Sequence, residues 1–248
     1  MKFISFAFLF LLFGASAFAQ LSPITVFLAG DSTLAEKRAE KRPETGWGEL
    51  FQQYFDPARV KIENHAMNGR STRTFIAENR WQTIVDKLKK GDYVFIQFGH
   101  NDQAKDKPER YTPPEDFSAN LRRMVNEARA KNAIPVLLTP VVRRRFDKEG
   151  KFRDAHGEYP GLTRAVAGEL KVALIDMQQA SERLVTQYGV EGSKKLFLIL
   201  QPGESANYPN GLDDNTHFSP ASAEEIARLA AAEIKQNKAI KLRKYLKK

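Results

Sequence analysis

Four short stretches of this 248-residue chain carry side chains able to attack a carbonyl or move a proton. The first is Ala29-Gly30-Asp31-Ser32-Thr33. It follows an apolar run, so Ser32 stands just past a strand end, with Gly30 permitting a tight turn and the hydroxyl placed as a nucleophile. An Asp/Ser helix cap fits the same residues. The second, Asn68-Gly69-Arg70-Ser71-Thr72-Arg73, places a glycine where backbone N–H groups can approach a developing oxyanion, or where a plain turn needs one. The third, Gly99-His100-Asn101-Asp102, offers in Asn101 a side-chain N–H of the kind oxyanion chemistry requires and an aspartate lacks, although a turn explains it equally. The fourth, Asp213-Asp214-Asn215-Thr216-His217-Phe218-Ser219-Pro220, sets Asp214 three residues before His217. A histidine base needs a carboxylate to fix its tautomer and stabilise its imidazolium, and one tight turn brings the two together. The rival reading is a helix start beside a surface histidine. Among His65, His100, His156 and His217, only the last has an acid at a spacing suited to such a turn. Singly each stretch is weak; together they supply nucleophile, base, orienting acid and oxyanion donors.

Something ordered must position them. Apolar, β-branched segments at 24–29, 60–64, 93–98, 134–139 and 172–175 are short and bounded by turn residues, as buried parallel strands are. Helix-like spacing fills 45–55, 80–89, 114–131, 161–170 and a last long stretch, 219–241. This alternation predicts an α/β fold, a three-layer α/β/α sandwich around a doubly wound parallel sheet of about five strands. Ligands bind such sheets in the crevice outside the strands' C-terminal ends, where three of the four stretches fall.

In order, Gly30-Asp31-Ser32, Gly69, Gly99-His100-Asn101-Asp102 and Asp214-Asn215-Thr216-His217 resemble the four motif blocks of the SGNH (GDSL-like) hydrolase superfamily, across nearly the whole chain after its leader. The runs Asp31-Ser32-Thr33, Asn68 to Arg73, Phe98 to Asp102, Asp214 to Ser219 and Thr139-Pro140-Val141-Val142-Arg143-Arg144 are similar to its rhamnogalacturonan acetylesterase branch. The resemblance implies a flavodoxin-like sheet and a cofactor-free serine esterase. In it Ser32 attacks the ester, His217 is the base, Asp214 orients it, and Ser32 N–H, Gly69 N–H and the Asn101 side chain hold the oxyanion; no metal is implied. The implied substrate is acetylated pectic polysaccharide, whose galacturonate carboxylates suit arginine forks. Arg70, Arg73, Arg143 and Arg144, with Arg145 beside them, follow strand ends and are substrate-binding candidates, as are His100 and Tyr208. Tyr159 and Phe218 are further candidates to stack on sugar rings. His100 is alternatively a support for the oxyanion segment, and His65 has no derivable role.

Length and composition agree with this and narrow the rest. One domain over 20–248 is expected. The start, Met1-Lys2, an apolar run over 3–12 and the small residues Ala17 and Ala19, reads as a signal peptide cut near Ala19, too short for a membrane span. Secretion or periplasmic residence follows. The absence of cysteine rules out disulfides, thiolate metal sites and thiol nucleophiles, and export without disulfides fits a bacterial envelope or exterior. The net charge of +9 is concentrated in seven basic residues from Lys235 to Lys248, with no acid after Glu233. Their expected role is a solvated helix end, so nucleic acid is not an expected partner, and a monomer is expected. The alternatives are a broader carbohydrate or xylan-type acetylesterase, a lipase- or thioesterase-like relative, and a carbohydrate-binding protein without catalysis. Charged crevice loops disfavour lipids, and an intact set of reactive residues disfavours the last.

Overall fold

The computed structural model describes residues 23–247, so the signal peptide and its cut near Ala19 lie outside it. Five strands form a parallel sheet: β1 (Ile24–Gly30), β2 (Val60–Asn64), β3 (Tyr93–Gln97), β4 (Ile134–Leu138) and β5 (Ala173–Ile175), in the order β2-β1-β3-β4-β5. This is the expected doubly wound sheet. Leu28 of β1 lies between Asn64 of β2 and Phe95 of β3, so the chain reverses its direction of travel across the sheet beside β1. A crevice opens at such a reversal because the loops leaving β1 and β3 run to opposite sides.

Helices cover both faces: α1 (Trp47–Leu50), α2 (Thr72–Ala77), α3 (Arg80–Lys87), α4 (Pro114–Ala130), α5 (Tyr159–Glu169), α6 (Met177–Gly192) and α7 (Pro220–Gln236). The pleat sorts alternate side chains to the two faces. Val26, Leu28 and Phe95 pack with Trp47, Val185 and Ile226 in one core, while Phe27, Ala29, Val94 and Ile96 pack with Trp81, Leu121 and Val166 in the other. Runs apolar at every position therefore serve a sheet buried on both sides.

Four local readings need correction. The stretch 45–55 is not one helix: α1 is a single turn, and Phe51–Tyr54 tightens into a 3-10 helix. The last helix stops at Gln236 rather than 241, because Asn237 leaves helical geometry and donates its side-chain N–H to Leu174 O at 3.0 Å. Beyond it Ile240 and Leu242 turn inward and are fully buried while Lys235, Lys238, Lys241, Arg243, Lys244 and Lys247 stay exposed, so the basic side chains are solvated as expected on a segment that also packs against the core. The third is α6, unanticipated although Met177, Ala180, Leu184 and Val185 have helical spacing; Asp176 caps it by accepting from Gln179 N. The fourth is an unanticipated antiparallel hairpin of β6 (Phe197–Leu200) and β7 (Leu212–Phe218). The polar sequence of β7 becomes a strand only by pairing with apolar β6.

Candidate active site

The turn after β1 is built around Asp31. Its buried carboxylate accepts from Thr33 N at 3.0 Å and Thr33 Oγ1 at 2.8 Å, while Leu34 N and Ala35 N close on Asp31 O. Gln97 of β3 donates to Thr33 Oγ1 at 2.9 Å, fixing the turn to the sheet. Gly30 serves space rather than an unusual dihedral: a Cβ there would come within 2.8 Å of Gln97 O and of the Leu34 side chain. Ser32 is thereby held at the rim with its side chain largely covered.

His217 reaches it from the hairpin. Phe197 pairs with Phe218 but Leu198 pairs with Asp214, so residues 215–217 bulge out of β7. The bulge is the tight turn expected from the spacing, set inside a strand. Asp214 Oδ1 accepts from Thr216 N at 2.7 Å and His217 N at 3.0 Å. Its Oδ2 accepts from His217 Nδ1 at 2.6 Å, and Ser32 Oγ lies 2.8 Å from His217 Nε2 across 185 residues of sequence. Burial alone raises the Asp214 pKa, but the hydrogen bond from His217, its charge and the two backbone N–H groups outweigh this and hold it at about 2. The carboxylate thus stays ionised beside the ring it orients.

The second and third loops close the far side. Met67 N donates to Gly30 O at 3.0 Å, which carries the β2 loop alongside Ser32; Gly69 then takes φ +76°, open to glycine at little cost. Asn101 Nδ2 donates to Arg70 O at 2.9 Å and so tethers the β3 loop to the β2 loop. One N–H of that amide remains for a ligand, since the group carries two. Ser32, Gly69, Asn101, Asp214 and His217 all line one open cavity of about 480 Å³.

The substrate-binding candidates separate. His100 and Arg143 line this cavity. Arg143 is also a brace, donating to Thr216 Oγ1 at 2.9 Å and His100 O at 3.1 Å. Arg70 lies in an adjoining hollow with its Nε on Glu78 at 2.9 Å. Arg73 donates to Pro108 O, Arg144 to Asn215 Oδ1 and Val190 O, and Tyr208 to Lys41 O, and none of the three lines the cavity. Tyr159 and Phe218 are 3% and 2% exposed, so neither has a free face for a sugar. Sequence reasoning missed Lys41, Lys107 and Arg110, which join Arg143 as cations on the wall. It also missed Lys37, whose Nζ donates to Ser32 O and, at 2.8 Å, to Asn68 Oδ1, and pairs with Glu44 at 2.8 Å. Burial lowers the pKa of Lys37, and the Glu44 hydrogen bond and charge oppose that. No spacing rule marks these residues, because each acts across loops.

Strand order, loop placement and a linked serine, histidine and aspartate at the sheet's carboxyl edge define an α/β ester hydrolase. Residues 28–224 match the GDSL-like lipase/acylhydrolase family, and the chain belongs to that family. It is 45% identical to rhamnogalacturonan acetylesterase RhgT of Bacillus subtilis over 86% of this chain and 90% of that one. It is 35% identical to the probable rhamnogalacturonan acetylesterase YesY of the same organism, over 85% and 92%. The crystal structure of B. subtilis YxiM superposes with a TM-score of 0.73 at 28% identity, covering 86% of this chain and 56% of that one. An acetylxylan esterase, Axe2 of Geobacillus stearothermophilus, shares the fold with a TM-score of 0.60 at 22% identity, over 86% and 94%.

Proposed function

We propose that this protein is a secreted acetylesterase that removes O-acetyl groups from rhamnogalacturonan through a Ser32–His217–Asp214 acyl-enzyme cycle. The observation that carries the reading is the unbroken line from Asp214 through His217 to Ser32 Oγ, at 2.6 and 2.8 Å, in a cavity walled by cations. Identity of 45% with a rhamnogalacturonan acetylesterase supports the substrate. The N-terminal apolar leader supports export.

In the cycle, Ser32 Oγ bonds to the acetyl carbonyl carbon as its proton passes to His217 Nε2. The carbonyl oxygen becomes an oxyanion facing Ser32 N–H, Gly69 N–H and the free N–H of Asn101. Collapse breaks the bond to the sugar oxygen, which takes the proton from Nε2 and leaves as an alcohol. Water then attacks the acetyl-serine, losing its proton to His217 in turn, and acetate leaves as Ser32 regains its hydrogen. Asp214 stays ionised throughout and stabilises the imidazolium. The cationic wall draws in a polymer bearing carboxylates, an attraction that salt screens.

Acetate release from acetylated rhamnogalacturonan, acetylated xylan and a chromogenic acetate tests this. Ser32→Ala is expected to lower kcat at least about 10³-fold on each. The pectic polymer is expected to give the highest kcat/KM and the only one that falls steeply between low and high salt. Equal turnover of xylan and pectin removes the substrate reading, and activity retained in Ser32→Ala removes the mechanism.

A further inference from the structure

The two arginines in the loop after β4 bond to the protein itself, at the parts of the site that must act on one carbonyl together. Residues 215–217 have no partner on β6, because Leu198 pairs with Asp214 and Phe197 with Phe218. The β4 loop takes that place. Arg144 N donates to Asn215 O at 2.8 Å, and its guanidinium donates to Asn215 Oδ1 at 2.8 Å, Ser193 Oγ at 3.1 Å and Val190 O at 2.6 Å. Arg143 holds the next residue, donating through Nη1 to Thr216 Oγ1 at 2.9 Å. His217 follows directly.

The second arm of Arg143 reaches the oxyanion side. Its Nη2 donates to His100 O at 3.1 Å, one residue before Asn101. One guanidinium thus joins the bulge bearing the base to the loop bearing the Asn101 amide, and no other side chain among the described residues bonds to both. What it stands on is firm. Val141 and Val142, just before it, are buried, and Val142 N donates to Ser181 Oγ at 3.0 Å. His100 is anchored in turn, with Nδ1 3.1 Å from His156 Nε2, while His156 Nδ1 lies 2.9 Å from Asp154 Oδ1. A Cβ on Gly99 would come within 2.9 Å of the Pro140 side chain, so the β3 and β4 loops also touch directly.

The chemistry needs that spacing held. While Ser32 Oγ bonds to the carbonyl carbon, the carbonyl oxygen must face the oxyanion donors and the leaving oxygen must face His217 Nε2, and a misplacement of about 1 Å can cost 10²-fold in rate. A guanidinium suits the task because its donors form a rigid fork, whereas an ammonium is a point charge on a flexible stem. We infer that Arg143 is a positioning residue, the strut that sets the distance between the base and the oxyanion donor, and not a contact for a substrate carboxylate. The inference rests on the esterase reading but not on which ester is cleaved: the strut serves any acetyl ester, one without a carboxylate included.

The test measures kcat and KM on a small uncharged chromogenic acetate and on acetylated rhamnogalacturonan for Arg143→Met, Arg143→Lys, Thr216→Val and the double variant Arg143→Met/Thr216→Val. Arg143→Met is expected to lower kcat roughly ten- to a hundredfold on both substrates with KM nearly unchanged. Arg143→Lys is expected to fall with it, because charge alone does not span the two acceptors. Thr216→Val removes one oxygen and keeps the shape of the side chain, and is expected to lower kcat by a smaller factor in the same way. Since that oxygen acts through Arg143, the double variant is expected to fall no further than Arg143→Met. Should Arg143→Met fail to fold, Arg143→Lys and Thr216→Val carry the comparison. Full rate in Arg143→Lys, losses that multiply in the double variant, or a raised KM at constant kcat overturns the inference. So does a loss confined to the polymer, which makes Arg143 a substrate contact. Any of these with turnover abolished in Ser32→Ala leaves the esterase reading intact, whereas no turnover of the chromogenic acetate by the unsubstituted protein removes that reading and the inference with it.

Discussion

Asp102 follows Asn101 and is fully buried, with Oδ1 accepting from Thr72 N at 2.8 Å and Thr72 Oγ1 at 2.6 Å. Its Oδ2 has no hydrogen-bond partner among the described residues. Burial raises its pKa to about 7 against the opposing pull of those Thr72 hydrogen bonds. An acid with a raised folded pKa stabilises the fold fully below its unfolded value of 3.8 and loses that contribution as pH rises toward 7. At 1.36 kcal/mol per unit this amounts to a few kcal/mol, about 4 at most. Asp102→Asn removes the slope while keeping an oxygen for Thr72. Urea denaturation is expected to show the variant gaining on the unsubstituted chain between pH 4 and pH 7 and level thereafter; parallel curves would mean an Asp102 ionised throughout. The line that joins Ser32, His217 and Asp214 was legible in the sequence, because serine, histidine and aspartate at those spacings have few other joint uses. The protonation state of Asp102 was not, since it depends on which groups from β2 and β3 loops enclose it.

At the scale of elements, the site is three strand-end loops and one hairpin locked into register. Lys37 does much of the locking: it ties the carbonyl of Ser32 in the first loop to Asn68 in the second, and its charge is met by Glu44. Glu44 Oε1 in turn lies 3.8 Å from His217 Nε2. Lys37→Met is expected to cost about 3 kcal/mol of stability, because it leaves a buried carboxylate unpaired, and to lower kcat roughly tenfold or more through a displaced nucleophile. Adding Glu44→Gln restores much of the stability and none of the rate. If kcat returns with stability, Lys37 balances charge and positions nothing. The five strands were read from sequence with ends shifted by at most a residue, since buried parallel strands are apolar throughout. The β6–β7 hairpin escaped that reading because β7 is Leu-Asp-Asp-Asn-Thr-His-Phe, a run whose strand geometry comes wholly from its partner.

For the molecule as a whole, the basic C-terminal segment closes one core. Leu242 is fully buried, Phe55 bridges to Leu246, Lys247 N donates to Tyr54 O at 2.9 Å, and the Arg59 guanidinium lies over the Tyr245 ring. Lysines here keep their charged ends in water, as the charge pattern suggested, while neighbours at 240 and 242 fill space, which a charge count alone does not reveal. Leu242→Ala is expected to lower unfolding free energy by 2–5 kcal/mol, about the cost of a core truncation, with activity intact below the transition. A loss under about 0.5 kcal/mol, measured in urea, returns the segment to the status of a solvated tail.

By itself the sequence determined the layer architecture and singled out Ser32, Asp214 and His217, which the structure brings into one hydrogen-bonded line. Strand and helix periodicity are local properties, and the chemistry of Ser32, Asp214 and His217 lies in the side chains themselves. Only the tertiary structure decided which cations face the cavity, that Lys37 donates to Ser32 O and pairs with Glu44, and that Asp154, His156 and His100 form a line ending on the cavity wall. Those groupings join loops tens of residues apart, and their membership is set by how the hairpin and the strand-end loops pack, a matter of distance in space on which local residue patterns are silent.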